Sequence, residues 1–134
     1  MVAIDTSGSI GDEALSYFLG HCQPLVNEVN PDGVDVVWWG SGVVGVDSFE
    51  RGNLNNLASA VKPIGGGGTD PSCIPAWMKK EKREYVAAVV LTDGEFDCDA
   101  VGKWDIPVLW LVVNNGDTGN IPVGVTVKVK ELNG

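Results

Sequence analysis

Apolar residues along this chain alternate between two kinds of segment. Short apolar or alternating runs read as strands: Met1 to Ile4, Val34 to Trp39, Val43 to Phe49, Tyr85 to Leu91, Pro107 to Val113 and Val123 to Lys130. Between them, apolar residues recur at three- and four-residue intervals. Leu15, Phe18, Leu19, Cys22, Leu25, Val26 and Val29 mark an amphipathic helix over about Gly11 to Val29, which Pro24 should kink. Leu54, Leu57, Ala58 and Val61 mark a short helix over Asn53 to Val61. Ile74, Trp77 and Met78 mark a third, entered through Pro71 with Asp70 or Thr69 as cap and running to about Lys82. Asn30-Pro31-Asp32-Gly33 and Asn114-Asn115-Gly116-Asp117 are turn signals.

The tight Gly40-Ser41-Gly42 link makes the second and third strands a hairpin, so the third strand runs antiparallel. The other strands are separated by helical stretches, which implies right-handed crossovers and a parallel arrangement. The expected fold is therefore α/β: a three-layer, Rossmann-like doubly wound sheet of six mostly parallel strands in the order 3-2-1-4-5-6, helices on both faces. Tyr85 to Leu91 is apolar throughout, as suits a central strand covered on both sides. Val123 to Lys130 alternates, as suits a half-exposed edge. Ligands of such sheets bind beyond the carboxyl ends of the strands where the winding reverses. Asp5 and Asp93 end the first and fourth strands, so this topology alone brings two carboxylates together.

Other oxygen donors cluster at the same turns. Asp5-Thr6-Ser7-Gly8-Ser9 packs a carboxylate and two hydroxyls into one strand-to-helix turn, and Gly65-Gly66-Gly67-Gly68-Thr69-Asp70 puts a hydroxyl and a carboxylate after four glycines. Hard oxygen donors suit Mg²⁺, Mn²⁺ or Ca²⁺ rather than zinc. Taken alone, the first stretch reads equally as a Ser/Asp-rich turn capping the helix that follows.

At this order and spacing, Asp-x-Ser-x-Ser, a glycine-preceded Thr and Thr92-Asp93-Gly94 resemble the metal-ion-dependent adhesion site (MIDAS) of von Willebrand factor A (VWA) domains, over the whole chain. The opening motif, the Gly-Gly-Gly-Gly-Thr-Asp loop and Leu-Thr-Asp-Gly-Glu followed by Pro-Val-Leu-Trp look like the VWA-like domain that ends metallopeptidase-like proteins of bacteria and phages. The resemblance implies that Ser7 and Ser9 bind the ion directly. Thr69, Asp5 and Asp93 would bind it directly or through water, and an Asp or Glu of a protein partner would complete the shell. Many VWA domains slide a C-terminal helix when ligand binds. Here the sequence stays strand-like from Val123 to Lys130 and ends at Gly134, so a largely preformed site is expected.

Composition narrows the partners. With 134 residues the chain suits one domain, and strand 1 beginning at Met1 suggests excision from a longer protein. A net charge of −9 argues against nucleic acid. No apolar run reaches the roughly eighteen residues that span a bilayer. Cys22, Cys73 and Cys98 are odd in number and lack a Cys-x-x-Cys pair, which fits a cytoplasmic, reduced setting and a monomer in isolation.

Several residues draw blander readings. Glu95, Asp97 and Asp99 either rim the crevice or sit in a solvated loop, Asp70 caps rather than ligates, and Asp12 complements a helix dipole. Lys79 to Glu84 is a solvated helix end. His21 is packed or at the surface, the tryptophans are core, and Trp39 is placed to line the top of the sheet. Cys73 and Cys98 have no base beside them.

The expected function is a non-enzymatic, Mg²⁺-dependent protein-binding module. The alternative is a metal-dependent hydrolase or phosphotransferase with Asp5 as nucleophile. Haloacid-dehalogenase enzymes, which that would resemble, carry a second Asp two residues on, where this chain has Ser7. No His or Lys stands near the three motifs as a general acid or base. The glycine loop lacks the Gly-Lys-Ser/Thr of a nucleotide-binding loop.

Overall fold

The strand runs fold where their apolar residues meet on both faces of one sheet. A computed structural model describes residues 1–6, 33–50, 68–92, 96, 101–112 and 121–128. The strands are β1 (Val2–Asp5), β2 (Gly33–Trp39), β3 (Val43–Glu50), β4 (Ala88–Thr92), β5 (Val108–Val112) and β6 (Val125–Lys128), with helix α1 (Cys73–Lys80) between β3 and β4. They form one sheet in the order β3-β2-β1-β4-β5-β6. Every neighbouring pair is parallel except β2 with β3. Order and directions are those the apolar pattern predicts. The helices expected over 11–29 and 53–61 lie outside the described residues, as do His21, Cys22, Asp12, Asp97, Cys98, Asp99 and Glu95. No helix among the described residues is long and apolar enough to cross a membrane.

Register sorts the side chains. Ala3 pairs with Val37 and Val90, and Val90 with Trp110, so these four share one face, on which Ile74 of α1 also packs. Side chains one residue along each strand point the other way. Ile4, Val36, Trp38 and Leu91 there are also fully buried, so the central strands are covered on both sides. Trp110 anchors the first face: Trp104 meets its ring edge-on at 5.7 Å, Phe96 lies tilted at 5.9 Å, and its indole N–H donates to the Val123 carbonyl at 2.7 Å. That bond fixes the entry to β6. There Gly124 adopts φ +75°, and a Cβ would sit 2.2 Å from the Val108 carbonyl oxygen. Only glycine meets both conditions.

Two of the boundaries that differ from the sequence expectation have a visible cause. The fourth strand begins at Ala88 rather than Tyr85. Tyr85 instead donates its hydroxyl to Asp35 on β2, and Val86 is 90% exposed, so apolar character continues past the point where pairing stops. The helix ends at Lys80 rather than Lys82. Lys82 takes φ 54°, its N–H reaches the Lys79 carbonyl at 3.3 Å, and the Arg83 N–H reaches the Met78 carbonyl at 2.8 Å. This is the paired closure of a Schellman cap, with lysine where glycine is usual. A left-handed residue with a Cβ costs roughly 1–2 kcal/mol. Lys82→Gly should therefore raise the free energy of unfolding by about 1 kcal/mol in urea melts. No gain would show that the lysine side chain offsets its own strain.

Candidate functional site

The carboxyl ends of the strands are tied together by a few bonds. β1 ends at Asp5, which pairs with Trp39 of β2 and is fully buried. Ile4 pairs with Leu91, so the next residues, Asp5 and Thr92, lie side by side on one face. The Thr92 hydroxyl donates to the Asp5 carboxylate at 2.9 Å. A carboxylate without water needs such donors or a cation, because an unpaired buried charge is very costly. The sequence reading includes Thr92 in its motif but assigns it no role. The sequence shows only that a hydroxyl ends an apolar strand; that it meets the Asp5 carboxylate follows from the β1/β4 register.

The next residue is also pinned. Thr6 donates both its N–H, at 2.8 Å, and its hydroxyl, at 3.0 Å, to the Trp39 carbonyl. The chain is thus fixed up to the point where Ser7 follows. The glycine loop is held one peptide further on: the Asp70 N–H donates to the Gly40 carbonyl at 2.8 Å. Gly68 takes φ +97°, and a Cβ there would come within 3.3 Å of the Ser41 Cβ. These contacts bring half-buried Thr69 to the carboxyl end of β2, the strand beside Asp5. Asp70 caps as expected, its Oδ1 accepting the Ser72 N–H at 3.1 Å and the Ser72 hydroxyl.

Of the five expected ligands, Asp5 and Thr69 are therefore placed at one end of adjoining strands. Ser7, Ser9 and Asp93 lie outside the described residues, though Asp93 follows Thr92 directly. Among the described residues no three His, Cys, Asp or Glu side chains gather. The donors in hand, a carboxylate and hydroxyls with no thiolate or imidazole among them, fit a hard cation such as Mg²⁺.

Two expectations beside the site resolve differently. Trp39 does not line an open surface; it is fully buried in the core, and its indole N–H has no hydrogen-bond partner among the described residues. Cys73 behaves as the absence of a neighbouring base suggests. Burial, reinforced by the Asp70 carboxylate, pushes its thiol up from 9.0 to about 12, away from the thiolate form a nucleophile needs.

This shift carries a sign. The folded chain keeps a proton that the unfolded chain releases above pH 9, so stability present below pH 9 is lost as pH rises toward 12. Tyr85, raised by burial and by Asp35, acts in the same direction. In urea melts from pH 8 to 10.5, Cys73→Ala should lose stability less steeply than the parent chain. Equal slopes would remove Cys73 from the cause.

Comparison with known proteins agrees with the topology. No curated protein matches the chain. Among solved structures, the conserved hypothetical protein BatB from Bacteroides thetaiotaomicron is 18% identical; the match covers 96% of this chain and 88% of that one with a TM-score of 0.62. An aerotolerance-related membrane protein from Bacteroides fragilis NCTC 9343, solved with multiple mutations to serines, is 16% identical, with 99% and 92% covered and the same TM-score, 0.62. At such identities the likeness concerns the fold. Residues 1–130 match the family described as VWA-like domain (DUF2201). With that match spanning nearly its whole length, the chain belongs to the VWA-like domain family DUF2201.

Proposed function

We propose that this domain is a divalent-metal-dependent protein-binding module, and that its crevice at the carboxyl ends of β1 and β4 accepts an acidic side chain of a partner. The observation that carries this reading is the buried Asp5 carboxylate, hydrogen-bonded by Thr92 at the end of the central strand. The residues that would hold the ion are Asp5, Ser7, Ser9, Thr69 and Asp93. Mg²⁺ suits them best, with Mn²⁺ or Ca²⁺ as substitutes. An ion held mainly by hydroxyls and water would keep a coordination position for the partner's carboxylate.

Full burial of Asp5 supports a positioning role over nucleophilic attack, since a nucleophile must reach its substrate. The test is calorimetric titration of Mg²⁺ and Mn²⁺ into the parent chain and into a Ser7→Ala/Ser9→Ala variant. The parent should bind and the variant should lose at least roughly tenfold in affinity, about 1.4 kcal/mol, while melting normally without metal. Undiminished affinity in the variant would make the serines helix caps only. Turnover of a phosphate ester with Mg²⁺, abolished by Asp5→Asn, would replace the binding module with an enzyme.

A further inference from the structure

The basic residues of this acidic chain are not spread evenly. Of nine Lys and Arg in all, Lys79, Lys82, Arg83 and Lys103 line a single groove along the flank of α1, where, among the described residues, only Glu84 and Asp105 oppose them. The sequence reading leaves Lys79 to Glu84 as a solvated helix end. Folding adds Lys103 to them from across the loop before β5. The groove floor is apolar and half-buried, formed by Pro75, Met78, Tyr85 and Ile106. Its volume of about 1140 Å³ exceeds the roughly 300–1,000 Å³ of small-molecule sites and suits an extended segment.

Arg83 is already engaged, 3.3 Å from the Asp35 carboxylate and 5.6 Å above the Trp77 ring. Lys79, Lys82 and Lys103 are exposed and make no ion pair among the described residues. Lys82 is also held at φ 54°, where glycine would be less strained. A side chain kept in a costly conformation at a surface invites a functional reason. The groove's basic end lies far from Asp5: α1 starts beside the Gly40 carbonyl at the carboxyl ends of the strands, and Arg83 contacts Asp35 near the start of β2.

We infer that this groove is a second docking surface, independent of the metal crevice, for an acidic peptide segment of a partner protein. The partner's apolar side chains would seat on Met78 and Ile106, with its carboxylates facing Lys79, Lys82 and Lys103. The chain as a whole carries a net charge of −9 and would repel such a segment, so the groove concentrates the attraction in one place and sets the register of docking.

The probe is a fluorescein-labelled twelve-residue peptide of glutamate and leucine, followed by anisotropy with the whole chain at low salt in EDTA, so that no divalent ion takes part. Binding should weaken at least roughly tenfold in Lys79→Glu/Lys82→Glu/Lys103→Glu, and measurably in Lys82→Gly. It should be unchanged in Thr69→Ala and Ser7→Ala/Ser9→Ala. If the charge-reversed variant melts early, the Lys→Gln triple serves, with the same direction expected. Absence of binding by the parent chain, or equal binding by the triple variants, would overturn the proposal. So would equal affinity for oligoglutamate or single-stranded RNA, which carry negative charge without leucine anchors.

Discussion

Mg²⁺ at a hundredfold excess over its dissociation constant is expected to stabilise this domain by about 2.7 kcal/mol against unfolding. For a chain of this length that is a rise in melting temperature on the order of 10 °C. The reason lies at the end of β1. Asp5 is buried and bonded to Thr92, which Asp93 follows directly in sequence; on the proposed reading both carboxylates would share one crevice and repel each other until a cation joined them. The unfolded chain would hold no such arrangement, so an ion bound there would stabilise the folded state selectively. Melting in Mg²⁺ or Mn²⁺ against EDTA measures the difference. Coincident transitions in a well-folded sample would count against a metal site.

Trp110→Ala should cost more, about 3–5 kcal/mol, the usual range for removing a large aromatic side chain from a core. Trp110 is fully buried on the face shared by β1, β2, β4 and β5, in edge-on contact with Trp104 and tilted contact with Phe96, and its N–H holds the Val123 carbonyl. Truncation opens a cavity and leaves that carbonyl without its donor. Val86→Ala, at a side chain 90% exposed, should stay within about 0.5 kcal/mol and serves as the control. Urea midpoints at constant slope give both values. A loss below about 1 kcal/mol for Trp110→Ala would mean that Trp104 and Phe96 close over the gap.

Strand order was legible because the central strands β1 and β4 carry buried residues on both faces, and such strands must be written as unbroken apolar runs such as Ala88-Val89-Val90-Leu91. Where a strand starts was less legible. Tyr85 and Val86 are as apolar in sequence as the residues that pair, and only a contact 50 residues away, with Asp35, draws Tyr85 off the strand line. The helix end at Lys80 was hidden for a different reason. Its cap uses a left-handed lysine, so the glycine that normally announces a Schellman closure is missing. At the site, Asp5 and Thr69 could be picked out because oxygen donors recur at strand ends. The Thr92–Asp5 bond could not, because it depends on β1 and β4 pairing in one particular register. Similarly, nothing along the chain relates Lys79 and Lys82 to Lys103; the loop before β5 does that.

β2 contributes no expected ligand, yet the carbonyls of its last residue and of the next one, Gly40, hold the neighbours of two expected ligands. The Trp39 carbonyl takes both donors of Thr6, the residue before Ser7, and the Gly40 carbonyl takes the N–H of Asp70, the residue after Thr69. The strand acts as a gauge block: the spacing between two loops some sixty residues apart is one peptide step of a third segment. Just at this point the hairpin is irregular, since Trp38 pairs with Gly45 but Trp39 with Val43, leaving Val44 as an extra residue. Removing that bulge would shift the gauge by a residue and misalign both loops together. On the proposed reading, metal affinity would then depend on the β2–β3 hairpin, a stretch that supplies no expected ligand.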